Sequence, residues 1–357
     1  MSIDAAVIGC GRMGAFTSPA VQRFAPPCWL PLAHAEAIRR HPSLVLQALC
    51  DVDPAALRRA AEAYEVARTF EDPLRMIDEV RPGLLGVATR TIGRAQILLH
   101  GVASGVRAFH VEKPLCNSMR ELLELEAAFA PGDRFLSYGT IRRFLAPYRR
   151  AVEIARSGQH GALLEVQVNL GRGALYWTHP HSVDLLLYAT GGAAVESVSA
   201  RLSNVVTGEA ACVVESDPVV ESATVLFEGG IEGRITRTPG CDLVLACEHG
   251  QVIVEADGRD VVTCAPAGDD AYCVRVPVAV GHSAPSGTLA PVSHLVQCLQ
   301  GDPPAVRLNE STRRDVFLGQ RILFGLLQSH AGGGRGVALA ELADDWVILA
   351  RSGGRHA

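Results

Sequence analysis

The stretch AAVIGCGRMG, residues 5–14, decides the fold of the first part of the chain. Four apolar residues suited to a buried strand run directly into a G-x-G-x-x-G pattern. After a strand, the first glycine permits a tight turn, the second a close approach of a pyrophosphate, and the third the packing of a helix. The N–H groups that open such a helix suit phosphates. The residues of this predicted dinucleotide-binding turn are Gly9, Gly11, Arg12, Met13 and Gly14.

An acidic residue is expected after the second strand, where it accepts hydrogen bonds from ribose hydroxyls. The apolar run 44–50 predicts that strand, and Asp51 follows it. A carboxylate there repels a 2′-phosphate, so Asp51 favours NAD over NADP. The interval from Gly14 is 37 residues (51 − 14), against a usual spacing of about 20. We interpret the proline-rich segment 16–32 as an insertion that lengthens the loop or the first helix. The alternative for Asp51 is a helix cap before Pro54.

Helix and strand patterns alternate through the remainder of this region. The order predicts a Rossmann-type, doubly wound parallel sheet in a domain over residues 1–140. Ligands gather at the carboxyl ends of such strands, where Thr89 and Glu112-Lys113 lie. The predicted strands are 84–88, 107–111 and 135–139, and the predicted helices are 54–64 and 93–104.

Lysine is nearly absent from the chain. Of 33 basic residues, only Lys113 is lysine and the remaining 32 (33 − 1) are arginine. A coding bias toward arginine explains the depletion but not the position of the one lysine. Arginine keeps its proton at any ordinary pH, whereas a buried lysine can exchange one. We therefore interpret Lys113 as a catalytic residue.

In the second half, predicted strands follow one another without intervening helices. This order predicts a large, open, mostly antiparallel sheet with flanking helices, in a domain over residues 141–357. His249-Gly250 is a hairpin signal, and an open sheet face favours a homodimer or homotetramer. The predicted strands are 163–170, 195–202, 211–215, 223–227, 230–236, 243–248 and 251–256, and the predicted helices are 147–156 and 314–328.

Several polar residues of the second half are candidates for a site. His181 and Asp184 are three apart at the head of a helical run, so they share one face. A lone histidine is more often a surface or core residue, but this pairing favours a function. The spacing of His179 and His181 suits a metal, yet no further cluster supports one, and we predict none. Arg142 and Arg143 either hold a substrate phosphate or carboxylate, or are solvated residues at a helix start.

Composition excludes several classes of function. The formal net charge is −5 with no basic tail, which gives nucleic acid no footprint. No apolar stretch reaches the roughly 18 residues of a membrane span, and the N-terminus does not have the pattern of a signal peptide. The 10 cysteines lack a Cys-x-x-Cys spacing and are interpreted as reduced thiols. We expect a cytoplasmic protein with a small-molecule substrate.

Taken together, these residues resemble the glucose-fructose oxidoreductase / inositol dehydrogenase (Gfo/Idh/MocA) family. The resemblance implies an NAD-dependent oxidoreductase that oxidises a secondary alcohol of a sugar, amino sugar or cyclitol. It extends over nearly the whole chain. The matching pieces are residues 9–14, Asp51, Thr89, Glu-Lys-Pro-Leu at 112–115, His-Ser-Val-Asp-Leu-Leu at 181–186, Gly-Gly at 191–192, and the loop 329–336 after the last helix.

The resemblance also implies roles for individual residues. Lys113 and His181 flank the alcohol carbon, Pro114 follows a cis peptide, and Glu112 lies at the edge of the cofactor site. His181 is the base while Lys113 polarises the developing alkoxide and relays the proton, or the two exchange these roles.

The sequence departs from the family pattern at Trp177, where an aspartate is frequent. Either Lys113 and His181 suffice with Asp184 orienting the site, or Tyr176 assists as a proton donor. Tyr176 and Trp177 also suit stacking on a sugar ring. The run YWTHPH, residues 176–181, is similar to family members that oxidise amino sugars in aminoglycoside antibiotic pathways. Two alternatives stay open: a nucleotide-sensing regulator without turnover, and an oxidoreductase with permanently bound NADP.

Overall fold

A computed structural model describes residues 2–268, 272–281 and 285–350. In chain order, the helices are α1 Pro19–Phe24, α2 His34–Arg40, α3 Pro54–Tyr64, α4 Pro73–Val80, α5 Arg94–Ala103, α6 Met119–Phe129, α7 Ala146–Arg156, α8 Pro180–Thr190, α9 Leu289–Leu299 and α10 Pro303–Ala331. The strands are β1 Ile3–Ile8, β2 Leu44–Cys50, β3 Arg68–Phe70, β4 Leu84–Val87, β5 Ala108–Val111, β6 Phe135–Tyr138, β7 Leu163–Asn169, β8 Val195–Ser203, β9 Val213–Val214, β10 Val219–Phe227, β11 Glu232–Thr236, β12 Asp242–Cys247, β13 Gly250–Glu255, β14 Asp260–Pro266, β15 Cys273–Pro277 and β16 Val347–Ile348.

The chain forms two compact units. Among the described residues, the first comprises 2–141 and 285–317, and the second comprises 142–268, 272–281 and 318–350. The first boundary lies one residue from the predicted 140/141 division. Residues 285–317 group with the first unit by their contacts, and the domain bounds 1–140 and 141–357 stay a prediction.

The first unit is built on a six-stranded sheet in the order β3-β2-β1-β4-β5-β6. All of its pairings are parallel. Strands β4, β5 and β6 are buried at every residue, as in parallel sheets covered by helices on both faces. Helix α3 begins at Pro54 because the Asp53 carboxylate accepts a hydrogen bond from the Ala55 N–H (2.9 Å). The predicted doubly wound sheet and the helix 54–64 are confirmed.

The edge strand β6 is closed by residues that lie far away in sequence. Helix α9 packs on β5 and β6. The side-chain amide of Asn309, on α10, accepts a hydrogen bond from the Leu136 N–H (3.1 Å) and donates one to the Leu136 carbonyl (3.0 Å). Arg313 donates to the carbonyls of Pro131 (3.1 Å) and Arg134 (2.7 Å). An unpaired edge leaves backbone groups open to other chains, and these side chains satisfy part of that edge.

The second unit contains an eight-stranded sheet in the order β15-β14-β13-β12-β7-β11-β10-β8. Its pairings are antiparallel except for β7 with β11, which is parallel. Helix α7 packs on β12, β13 and β14, and α8 packs on β7 and β11. The predicted mostly antiparallel sheet with flanking helices is confirmed, and so is the hairpin between β12 and β13.

Three elements of the second half differ in length or in pairing from what the local patterns indicate. The predicted strand 211–215 is only Val213–Val214, and it pairs with Val347–Ile348 in a separate two-stranded sheet. The predicted strand 230–236 is β11, whose neighbour β7 lies much earlier in the chain, before α8 and β8, and the pairing is parallel. The predicted helix 314–328 is part of the longer α10. Local patterns predict a strand but not its partner.

Within residues 2–268, 272–281 and 285–350, no helix has the length and apolar character needed to cross a membrane.

Replacing Asn309 by alanine tests the closure of the sheet edge. The substitution leaves the N–H and the carbonyl of Leu136 without their side-chain partner, and Asn309 is only 2% exposed. We expect a loss of about 2–4 kcal/mol in the free energy of unfolding, measured by urea denaturation. Ser311→Ala is the control, because that hydroxyl bonds only to Leu308 of its own helix. Equal stabilities for the two variants would show that Asn309 does not hold the edge.

Candidate active site

The glycine-rich turn that follows β1 packs closely against the backbone at the carboxyl end of β4. Gly9 has φ +93°, and a Cβ there would lie 2.7 Å from the Ala88 carbonyl group, at the end of β4. A Cβ on Gly14 would overlap the Gly9 carbonyl. Gly11 differs, because no atom lies within 4 Å of its Cβ position. The first and third glycines therefore shape the turn, and the second leaves open space where a pyrophosphate can approach. This cradle fits a dinucleotide.

The predicted insertion interrupts the helix that follows the turn. The N–H of His34 donates to the Met13 carbonyl, and that of Ala35 donates to the Gly14 carbonyl, both at 2.8 Å. In a continuous helix, each N–H donates to a carbonyl only about 4 residues earlier. Helix α2 thus continues the first helical turn on the far side of an inserted segment, and the predicted insertion is confirmed. Without that segment, the interval between Gly14 and Asp51 would return to the usual spacing of about 20 residues.

Asp51 lies directly after β2 and beside the turn. Its Oδ2 accepts a hydrogen bond from the Cys10 N–H at 2.6 Å, and its Oδ1 accepts one from the Asp53 N–H at 2.9 Å. The cap of α3 is Asp53 and not Asp51, so the helix-cap alternative for Asp51 was wrong. The carboxylate is half-buried at the strand end, where the prediction of a ribose-binding residue requires it. Its role toward a cofactor stays a prediction.

Lys113 follows β5, two residues beyond the strand's last residue, Val111. It is half-buried, and its peptide bond to Pro114 is cis, as the resemblance implied. The guanidinium of Arg94 donates hydrogen bonds to the carbonyls of Glu112 and Pro114, on either side of Lys113. It also donates to the carbonyl of Thr89. The predicted cofactor and catalytic residues of the first unit therefore share one edge of the sheet.

Glu112 is buried and belongs to a chain of polar groups. The Nε2–H of His34 donates to its Oε1 at 3.3 Å, the rings of His34 and His110 lie 4.4 Å apart, and His110 shares a hydrogen bond with Ser137 (2.8 Å). Burial raises the pKa of the Glu112 carboxyl, but His34, Lys113 and His110 outweigh it and lower the pKa to about 2. The carboxylate is thus fixed as an anion next to Lys113.

In the second unit, a turn precedes α8 and presents the predicted aromatic residues. The Asp217 carboxylate accepts hydrogen bonds from the N–H groups of Tyr176 (2.8 Å) and Trp177 (3.0 Å). Tyr176 is buried and packs edge-on against Phe324 at 5.7 Å, whereas Trp177 is half-buried. His181 is the second residue of α8 and is half-buried. The Asp217 carboxylate therefore holds the backbone of the turn that carries these two aromatic residues.

Two buried ion pairs surround the start of α7 and α8. Both carboxylate oxygens of Asp184 face Arg143, at 2.7 and 3.1 Å. Arg142 pairs with Asp257 at 2.8 and 3.2 Å, and that carboxylate raises the pKa of Arg142 above its usual value despite burial. The interpretation of these arginines as solvated residues was wrong. Because each guanidinium meets an internal carboxylate, a substrate anion is not needed to balance its charge.

His179, unlike His181, is fully buried. Its Nδ1 shares a hydrogen bond with the Ser182 hydroxyl at 3.0 Å. Burial lowers the pKa of His179 to about 4, so the imidazole is neutral at physiological pH. In the part of the chain that the structure describes, no group of three or more histidine, cysteine or carboxylate side chains could hold a metal ion.

Part of the first unit is similar to a known family. Residues 3–140 match the Gfo/Idh/MocA family, described as "Oxidoreductase family, NAD-binding Rossmann fold". The match covers the Rossmann-type sheet of the first unit and supports NAD as its cofactor. Its glycine turn and Asp51 fit the cofactor for which the family is described. No curated protein sequence matches the chain.

Solved structures share the fold of the chain at low identity. An aldose-aldose oxidoreductase from Caulobacter crescentus is 18% identical with a TM-score of 0.72, covering 95% of this chain and all of its own. The WlbA dehydrogenase from Bordetella pertussis, in complex with NADH and UDP-GlcNAcA, is 19% identical with a TM-score of 0.69, covering 95% and 99%. GenD2 from gentamicin A biosynthesis, in complex with NAD, is 20% identical with a TM-score of 0.69, covering 94% and 96%.

Sequence reasoning missed three residues around the site, namely His34, Arg94 and Asp217. Each bonds to a partner outside its own element, 78 residues away for His34 with Glu112, 18 for Arg94 with Glu112 and 41 for Asp217 with Tyr176. No local signal marks such residues. Only the insertion gave an indication of His34, because removing the inserted segment returns this residue to the first turns of the phosphate-binding helix.

Gly11→Ala tests the cofactor cradle. The added methyl has open space in the fold but occupies the approach to the turn. We expect unchanged thermal stability and a Kd for NADH raised at least about tenfold, measured by fluorescence titration. Gly132→Ala is the matched control, since its Cβ position is equally open and lies in a distant loop. Unchanged NADH affinity in the Gly11 variant would contradict the proposed approach.

Glu112→Gln tests the buried anion. Folding lowers the pKa of this carboxyl from 4.5 to about 2, so its stabilisation of the fold is complete above pH 4.5 and is lost as the pH falls toward 2. We expect the variant to have a lower free energy of unfolding than wild type at neutral pH. This difference should narrow by on the order of 2 kcal/mol at about pH 3. Urea unfolding at the two pH values measures this. Glu124→Gln, on the exposed side of α6, should show no such gap.

Proposed function

We propose that the whole chain is an NAD-dependent oxidoreductase of the Gfo/Idh/MocA type that oxidises a secondary alcohol of a sugar-like substrate. The observation that supports this most is Lys113 at the carboxyl end of β5 in an NAD-binding domain. In a chain with 33 basic residues, the one lysine stands where a group that exchanges protons is needed. The buried anion of Glu112 lies beside it.

The proposed reaction assigns a step to each residue. The glycine-rich turn and Asp51 would hold NAD, which would supply the acceptor for the carbinol hydride. His181 takes the hydroxyl proton, and the Lys113 ammonium polarises the alkoxide that develops and relays the proton onward. The product is the ketone. An exchange of these roles between Lys113 and His181 is the alternative, and the assignment of His181 rests on the family resemblance.

Substrate binding is assigned to the second unit. Trp177, which is half-buried, supplies aromatic surface for the apolar face of a sugar ring. The expected stacking of Tyr176 on the ring is dropped, because Tyr176 is buried against Phe324. Asp184 orients the site through its pair with Arg143, and the Arg142–Asp257 pair supports the same helix starts. One reading of the sequence placed Arg142 in direct contact with a substrate anion. The proposal now gives Arg142 a supporting role through Asp257.

Within sugar-like alcohols, we propose an amino sugar or cyclitol of an aminoglycoside pathway. The support is the long first loop and the run 176–181, together with a fold shared with GenD2. The proposal includes a homodimer or homotetramer in the cytoplasm.

Purified protein supplied with NAD and a panel of sugars, amino sugars and cyclitols tests the function through NADH absorbance. We expect Lys113→Arg to lower kcat by about 100-fold or more, because arginine keeps the charge and cannot exchange the proton. His181→Asn should lose activity to a similar degree. The control is Arg120→Met, an exposed residue of the next helix.

Two results would favour the alternatives. NADH binding without turnover of any alcohol would support a nucleotide-sensing regulator. The feature that favours this alternative is Trp177, which stands where the family frequently has an aspartate. Cofactor that survives purification as NADP would support a permanently loaded enzyme. Substantial turnover by the Lys113→Arg variant would exclude proton transfer by Lys113.

A further inference from the structure

Arg94 is the first residue of α5 and is only 1% exposed. Its Nη1 donates to the carbonyls of Glu112 and Pro114, and its Nη2 donates to the carbonyl of Thr89. Two of these carbonyls belong to the residues immediately before and after Lys113. The third belongs to the predicted cofactor residue at the end of β4. One guanidinium therefore joins the two loops on which the first unit's part of the site is built.

The charge of Arg94 is balanced mainly by peptide dipoles. Among the described residues, no carboxylate forms an ion pair with it. Burial lowers the pKa of Arg94 to about 10, opposed by the nearby Glu112, so the group stays charged at neutral pH. A buried ion is costly to desolvate, and an apolar residue of similar volume is often equally or more stabilising. Stability alone therefore does not account for an arginine at this position.

The shape of the guanidinium does account for it. Its donors are fixed in one plane and diverge, so they hold several carbonyls in set directions, whereas a lysine ammonium is a single point charge on a flexible stem. With the carbonyls on both sides of Lys113 held, the backbone of that residue cannot rotate freely.

We propose that Arg94 is a positioning residue of the oxidoreductase reaction, fixing the Glu112–Pro114 backbone against the Thr89 loop so that the Lys113 ammonium meets the substrate alcohol. The inference rests on the proposed function of Lys113. In the proposed role, Arg94 itself touches neither substrate nor cofactor. A misplacement of a reacting group by about 1 Å can cost about 100-fold in rate.

Turnover measurements give the first test. Arg94→Met should lower kcat by roughly 10- to 100-fold while the KM for the alcohol changes far less. Addition of guanidinium ion to Arg94→Ala should restore part of kcat, and methylammonium should not. Arg313→Met is the matched control, because it also removes a guanidinium bound to backbone carbonyls in the same unit, at Pro131 and Arg134. Its kcat should equal that of wild type.

The single lysine allows a second test that needs no turnover. Reductive methylation with isotope-labelled formaldehyde places a carbon NMR label on Lys113 and on the terminal amine only. We expect the Lys113 resonance of wild type and Arg313→Met to differ from that of free dimethyl-lysine and to move on addition of NADH. In Arg94→Met it should shift toward the free position and respond less to NADH.

The outcomes separate the two proposals. A wild-type lysine resonance together with wild-type kcat in Arg94→Met would overturn the positioning role. If wild type oxidises no alcohol, the proposed function fails, yet the resonance still decides whether Arg94 holds Lys113 in place. If Arg94→Met does not fold, Arg94→Gln, which keeps a side-chain donor and adds no lysine, is labelled in the same way. Equal loss of kcat in Arg313→Met would show a purely structural effect and would also overturn it.

Discussion

The close approach of Gly9 to both Ala88 and Gly14 is the constraint on which the first unit depends. With a side chain at either glycine, the end of β1 could not lie against the end of β4, and the first helical turn could not stack on the strand. The contact between these backbones fixes the carboxyl end of β1 beside that of β4. Asp51, Thr89 and Lys113 all take their places from that edge, each following its own strand.

Much of this arrangement could be predicted from the sequence because it depends on local chemistry. The glycine spacing, the apolar strands and the Pro54 helix start each carry their signal within a few residues. The insertion could be predicted too, since the interval between Gly14 and Asp51 exceeds the usual one by about the length of the inserted segment. Both fold classes followed from the order of elements, alternating in the first half and strand after strand in the second.

The rest depends on contacts between distant residues, which no window of sequence contains. The segment 285–317 joins the first unit because Asn309 and Arg313 bond to backbone groups near β6, far earlier in the chain. Strand β11 pairs in parallel with β7 although its pattern resembles that of its antiparallel neighbours. Arg142 and Arg143 appeared available to a substrate because Asp257 and Asp184, which bind them, lie 115 and 41 residues away.

The interrupted first helix has a consequence for how the chain folds. Helix nucleation is ordinarily a local event that needs only one turn of chain. Here the turn that follows Gly11 gains its next hydrogen bonds from His34 and Ala35, after the intervening loop has closed with the Thr17 hydroxyl bound to the Ala33 N–H (3.2 Å). Closing a loop of this length has an entropic cost that a continuous helix does not meet. We therefore expect the phosphate-binding helix to form together with the sheet beneath it and not as an early, autonomous element.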